Sequence, residues 1–145
     1  MAKFIFKMQN ILNLKEKMEE QQKTAFREAN AALSDEQDIL RELFIRQAGY
    51  ERQLREASMD VLDVRKIAFI KNAIDTMKSK IRDQMFRVKR AEEALEVERH
   101  KLDEAIKERK IQEKLREHAF EDFKKELLYE ESKEIDQLVS FTHSK

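Results

Sequence analysis

The sequence predicts an all-α fold, a long two-helix antiparallel coiled-coil hairpin with an overhanging C-terminal helix. Two heptad tracks carry that prediction. One runs through Phe26, Leu33, Leu40, Gln47 and Leu54, the other through Ile67, Ile74, Ile81, Val88, Leu95 and Leu102. A seven-residue repeat holds its side chains on one stripe of a slightly under-wound helix. Folding the chain back near residue 60 sets Leu54 against Ile67, Leu40 against Ile81, Leu33 against Val88 and Phe26 against Leu95. The residue numbers of each pair add to the same total, as an antiparallel pairing requires. The third observation is punctuation: 145 residues contain one glycine and no proline, too few breakers for the turns of a compact globule.

Helix one is expected from about residue 3 to 57. Phe4, Met8, Ile11 and Met18 open its apolar stripe, Ala25, Ala29 and Ala32 narrow it, and Ile39, Leu43 and Tyr50 carry it on. The alanines allow close approach of a partner helix bearing Val88, Ala91 and Leu95. Gln22, Gln47, Gln84 and Glu98 interrupt the seam, and polar seam residues fix register at a cost in stability. Ser34-Asp35-Glu36-Gln37 mimics a capping box, but the heptads run through it, which makes it mid-helix. Gly49 is a weak spot or local kink rather than the bend, because a fold there would break the register.

The turn is expected at about residues 58–62, with Asp60 or Asp63 capping the second helix through its carboxylate. Helix two then runs from about 62 to 140. After Ala105 its apolar residues Ile106, Ile111 and Leu115 drift off the heptad, as at a stutter. At 1.5 Å per residue the helices would measure roughly 80 Å and roughly 120 Å. With Phe4 paired near Leu115 or Arg116, about the last 25 residues outrun any partner. They carry Phe120, Phe123, Leu127, Leu128, Tyr129, Ile135, Leu138 and Phe141, a stripe one helix cannot bury alone in water. Self-association or a protein partner is therefore expected.

Composition excludes several chemistries. Thirty basic and thirty acidic residues cancel, so no polyelectrolyte partner dominates. The basic run Lys78, Lys80, Arg82, Arg87, Lys89 and Arg90 lacks the aromatic platform of a nucleic-acid binder and reads as a solvated helix face. His100, His118 and His143 are too far apart to share a metal site, and there is no cysteine. Adjacent carboxylates such as Glu92-Glu93 point to different sides of a helix and lack a desolvated pocket, and one glycine builds no phosphate loop. No catalytic residue, metal or cofactor is expected. Uncharged runs fall well short of the ~20 residues that span a bilayer, and no signal-peptide core is evident, so a cytoplasmic protein is expected.

Three stretches together resemble the flagellar FliJ family. They are the opening Phe4-Ile5-Phe6-Lys7-Met8-Gln9-Asn10-Ile11-Leu12-Asn13-Leu14-Lys15, the segment Arg99-His100-Lys101-Leu102-Asp103-Glu104-Ala105 with Glu108-Arg109-Lys110 and Glu113-Lys114-Leu115, and the terminal Glu130-Glu131-Ser132-Lys133-Glu134-Ile135-Asp136. The similarity covers essentially the whole chain. It implies a soluble component of the flagellar type III export apparatus, folded as a two-helix antiparallel coiled coil like the central stalk of rotary ATPases. The implied partners are the hexameric export ATPase, with the paired chain ends in its ring, the cytoplasmic domain of the export gate at the inner face of the membrane, and export chaperones.

Within that resemblance a ring contact would use Phe4, Phe6, Phe120, Phe123, Leu127 and Phe141, although Phe4 and Phe6 could instead cap the hairpin against helix two. The gate surface implied lies in the middle of the chain toward the turn, where Leu43, Tyr50, Phe69 and Ala73 occupy comparable positions. Arg46 stands where family members can carry a second aromatic. Phe44, Phe69 and Phe86 lie off the main seam and are candidates in their own right. Two other readings remain open from the residues: a self-associating structural coiled coil, and a secretion chaperone that shields substrate helices.

Overall fold

The computed structural model describes residues 2–59 and 63–143. Helix α1 spans Gln9–Met59 and helix α2 spans Val64–His143. The two pack against each other as a helical hairpin, with no strand among the described residues. The chain divides into two compact units, Met1–Gln22 with Leu102–Lys145, and Lys23–Lys101.

The second unit holds the larger apolar core. Ile70, Ile74, Met77, Ile81 and Leu95 of α2 are buried, Ile70 most deeply at 2% exposure. Facing them, Leu33, Leu40, Leu43, Tyr50 and Leu54 of α1 are half-buried. Ile70 and Met77 belong to the other half of the heptad begun at Ile67, a set that the sevenfold track alone passes over. Each such side chain contributes about 1.5–3 kcal/mol on burial. The polar interruptions lie on this seam as expected. Gln84 is buried, and its amide donates to the Glu36 carbonyl at 2.9 Å and also to the Glu36 carboxylate. Gln47 donates to Glu51 at 3.0 Å. A buried amide with no partner would cost about 1–3 kcal/mol, so this cross-helix bond fixes the pairing of residues 36 and 84. Helix α1 continues through Ser34–Gln37 and through Gly49.

Helix α2 begins where its cap predicts. Asp63 Oδ1 accepts from the backbone N–H groups of Arg65 at 3.1 Å and Lys66 at 3.3 Å, and its carbonyl accepts from Ile67 at 3.0 Å. Asp60, the other cap candidate, and most of the expected turn lie outside the described residues.

Two sequence expectations are corrected. Helix α1 starts at Gln9, not near residue 3, and residues 2–6 are not helical. Nothing caps an earlier start: the first turn has no acidic residue, and Lys3 and Lys7 would sit at the positive end of the helix dipole. A turn takes its place, with Gln9 N–H donating to the Phe6 carbonyl at 3.0 Å.

The second correction concerns the stutter after Ala105. The sevenfold positions beyond it turn largely polar. Counting on from Ile67 by sevens lands on Arg109, Arg116 and Phe123, and counting from Ile70 lands on Ala105, Gln112 and Ala119. Arg109, Gln112, Ala119 and Phe123 are half-buried and Arg116 is exposed; of the drifting apolar residues Ile106 is half-buried, whereas Ile111 and Leu115 are exposed. Apolar character and seam position separate there because ion pairs and amides fill the seam.

Candidate functional site

The first unit contains the paired chain ends, and its seam is built from charge. Leu12 is its buried apolar residue, at 3% exposure. Glu19 lies one heptad further along α1, and its Oε2 accepts from Arg109 Nε at 2.6 Å. Arg109 also donates to Glu113 at 2.8 Å, one turn along α2. These bonds, the Glu19 bond first, hold the guanidinium above its ordinary pKa against the opposing pull of burial. Lys15 pairs with Glu108 at 2.9 Å, and Arg116 donates to Gln9 Oε1 at 3.0 Å. Gln112 Oε1 is buried without a hydrogen-bond partner among the described residues.

Beyond this seam three rings meet. Phe4 stands edge-on to Phe120 at 5.1 Å between centroids and tilted against Phe123 at 5.5 Å, while Phe120 and Phe123 stack at 6.4 Å. The Arg116 guanidinium lies 5.5 Å from the Phe4 ring centroid and the Lys124 ammonium 5.0 Å from that of Phe120. The N-terminal segment leaves the helix to make this clasp.

Of the residues anticipated for a ring contact, Phe4, Phe120 and Phe123 are thus brought together. Phe6 and Leu127 are half-buried, and Phe141 is exposed near the end of α2. From Leu128 to His143 every residue is exposed, including Leu128, Tyr129, Ile135, Leu138 and Val139. Cover therefore reaches further than the sequence implied, to Leu127, and the uncovered stretch is shorter.

The anticipated gate residues divide. Leu43, Tyr50 and Ala73 are half-buried along the seam of the second unit. Phe44 and Phe69 are exposed, Phe69 at 71%, and Phe44 lines a shallow groove with Leu40, Arg41, Ile45 and Ala48. Phe86, singled out for its off-seam position, is also exposed.

No cluster of three or more His, Cys, Asp or Glu suited to a metal occurs among the described residues, and no helix there is long and apolar enough to cross a membrane. Sequence reasoning missed Leu12, Glu19, Gln112 and the Arg116–Gln9 bond. The signal for them was heptad position, which a search for apolar residues alone does not read.

A family model described as Flagellar FliJ protein matches residues 4–145. Among solved structures, one described as a homolog of YscO, CT670 from Chlamydia trachomatis, is similar over 98% of this chain and 96% of that one, with a TM-score of 0.54 and 24% identity. That likeness is one of fold. No curated protein matches the chain. The chain belongs to the flagellar FliJ protein family, and with it to the components of flagellar type III protein export.

Proposed function

We propose that the chain is a non-catalytic stalk and adaptor that binds the hexameric flagellar export ATPase through its first unit and the cytoplasmic domain of the export gate through its second. The observation that carries the first contact is the end of α2. The Phe4–Phe120–Phe123 clasp anchors its base, and beyond it Leu128, Tyr129, Ile135 and Leu138 stand exposed on a helix. An isolated helix gains most of its stability by packing its apolar face, so this stretch is suited to a protein cavity. Phe4, Phe6, Phe120, Phe123, Leu127 and Phe141 remain the proposed contact set, with the clasp rings shaping the base and Phe141 the tip. A stalk that binds the assembled ring better than a free subunit drives assembly by mass action and needs no chemistry of its own.

For the gate, Phe44 and Phe69 are the proposed anchors, because both are exposed and aromatic side chains are enriched at protein interfaces. Leu43, Tyr50 and Ala73 support them from the seam. Export chaperones are a further partner class of this reading.

The test measures the turnover and hexamer assembly of the export ATPase with the full chain and with a chain ending at Leu127, which keeps the clasp. Stimulation by the full chain that the shorter chain loses, with equal helicity by circular dichroism, is the expected result. A folded full chain that leaves both quantities unchanged overturns the stalk reading. For the gate, Phe44→Ala with Phe69→Ala is expected to weaken binding to the cytoplasmic domain at least tenfold, and undiminished binding removes these anchors.

A further inference from the structure

Two stretches of α2 are complementary to each other. Within residues 78–90, Lys78, Lys80, Arg82, Arg87, Lys89 and Arg90 are opposed only by Asp83, and all are exposed. Arg82, Met85, Phe86 and Lys89 stand at i, i+3, i+4 and i+7 and so share one helix face. Met85 is 50% and Phe86 61% exposed on that face, while their neighbours Ile81 and Gln84 are turned into the seam.

Within residues 126–138, Glu126, Glu130, Glu131, Glu134 and Asp136 are opposed only by Lys133, and these too are exposed. Leu128, Glu131, Ile135 and Leu138, at i, i+3, i+7 and i+10, again form one exposed face. Among the described residues none of the charged groups of either stretch is engaged in an ion pair. One stretch is an apolar pair ringed by cations, the other an apolar stripe set among carboxylates.

We infer that the acidic C-terminal stretch of α2 in one copy docks on the basic Met85–Phe86 face of α2 in a second copy. Both stretches belong to α2, and the pairing inferred joins two copies of it. Apolar contact between Leu128, Ile135 or Leu138 and Met85 and Phe86 supplies the attraction, and the charges select orientation and partner. Exchanged reciprocally between two copies the contact closes a two-fold dimer, and otherwise it is heterologous and propagates. It occupies the stretch proposed above for the ATPase ring, so self-pairing and ring entry compete, but the pairing stands without the ring reading.

The experiment is sedimentation of the full chain across concentration at low and high salt. The expected result is a mass that climbs from 17.4 kDa toward two chains or more at low salt and falls back at high salt. Raising salt from 0.1 M to 1 M shortens the screening length from about 10 Å to about 3 Å, which weakens the steering charges. Arg82→Glu with Lys89→Glu is expected to abolish association, as is Glu131→Lys with Glu134→Lys. One chain carrying all four changes is expected to regain it. These side chains are exposed, and circular dichroism checks the helicity of each variant. A wild-type chain that stays monomeric at every concentration overturns the inference, as does association that ignores both reversals or is not regained by the four-change chain. Wild-type monomers that bind an unrelated acidic amphipathic peptide would assign the face to another partner and overturn it equally.

Discussion

Glu19 and Arg109 face each other across the seam of the first unit, their side chains 2.6 Å apart at positions where the heptad calls for apolar residues. Glu19 is 6% exposed, so removal of Arg109 takes the cross-helix cation from a carboxylate with little access to water. Arg109→Leu alone is expected to lower the melting temperature more than Glu19→Leu with Arg109→Leu, because the double change replaces the pair by packed leucines. Thermal denaturation of the wild type, both single variants and the double variant measures the coupling. A double-variant loss equal to the sum of the two single losses would show that the pair does not act as a unit. The sign of the Arg109 shift adds a pH expectation. A raised cation contributes stability that is fully present below its unfolded value and lost only as pH rises through the folded one. Since the guanidinium's ordinary value is already strongly alkaline and the bond to Glu19 raises it further, that bond gives no alkaline loss of stability across the neutral range.

Gly49 lies inside α1 without positive φ, and a Cβ placed there meets nothing within 4 Å. Its backbone freedom therefore destabilises the helix with no packing return. Gly49→Ala is expected to raise stability by about 0.5–1 kcal/mol, read as a higher urea midpoint with an unchanged slope. A lower midpoint would mean that the glycine serves a close approach absent from this structure.

Ile70 and Ile111 are the same residue type on the same helix with opposite fates, at 2% and 59% exposure. Ile70→Ala is expected to cost about 2–5 kcal/mol, and Ile111→Ala less than about 0.5 kcal/mol. Denaturant unfolding of the two variants tests the register directly. Comparable losses would place Ile111 in a seam and restore the stutter.

The same pair shows how much of this molecule was legible in its sequence. In the second unit, apolar residues and seam positions coincide, so the register, the hairpin and polar inserts such as Gln84 could all be read from spacing. In the first unit they do not coincide. Arg109 holds a seam position because Glu19 across the helix pair satisfies it, Gln112 holds one with its Oε1 unpartnered among the described residues, and Arg116 bonds Gln9 from an exposed position, none of which hydrophobicity can reveal. The start of α1 was hidden for a related reason, since the clasp made by Phe4 depends on rings more than a hundred residues away. Exposure at Phe44, Phe69 and Phe86 followed directly from their positions off the seam.

Phe4 decides whether the N-terminal segment stays on α2. It sits half-buried between Phe120 and Phe123 and under the Arg116 guanidinium, and the turn after it feeds the first bonds of α1: Gln9 N–H to the Phe6 carbonyl, Ile11 N–H and Leu12 N–H to that of Met8, each 3.0 Å. Each ring pair is worth about 0.5–1.5 kcal/mol beyond its burial, and 1.4 kcal/mol is a factor of ten in a local equilibrium. Phe4→Ala is therefore expected to speed amide hydrogen exchange at residues 9–12 about tenfold or more, while exchange at residues 70–81 keeps its rate. Phe4→Leu, which retains burial without the ring, should fall between. Unchanged exchange at Gln9–Leu12 in Phe4→Ala would show that the turn holds without the clasp. Faster exchange throughout α1 and α2 would show instead that the clasp stabilises the whole fold and not its end alone.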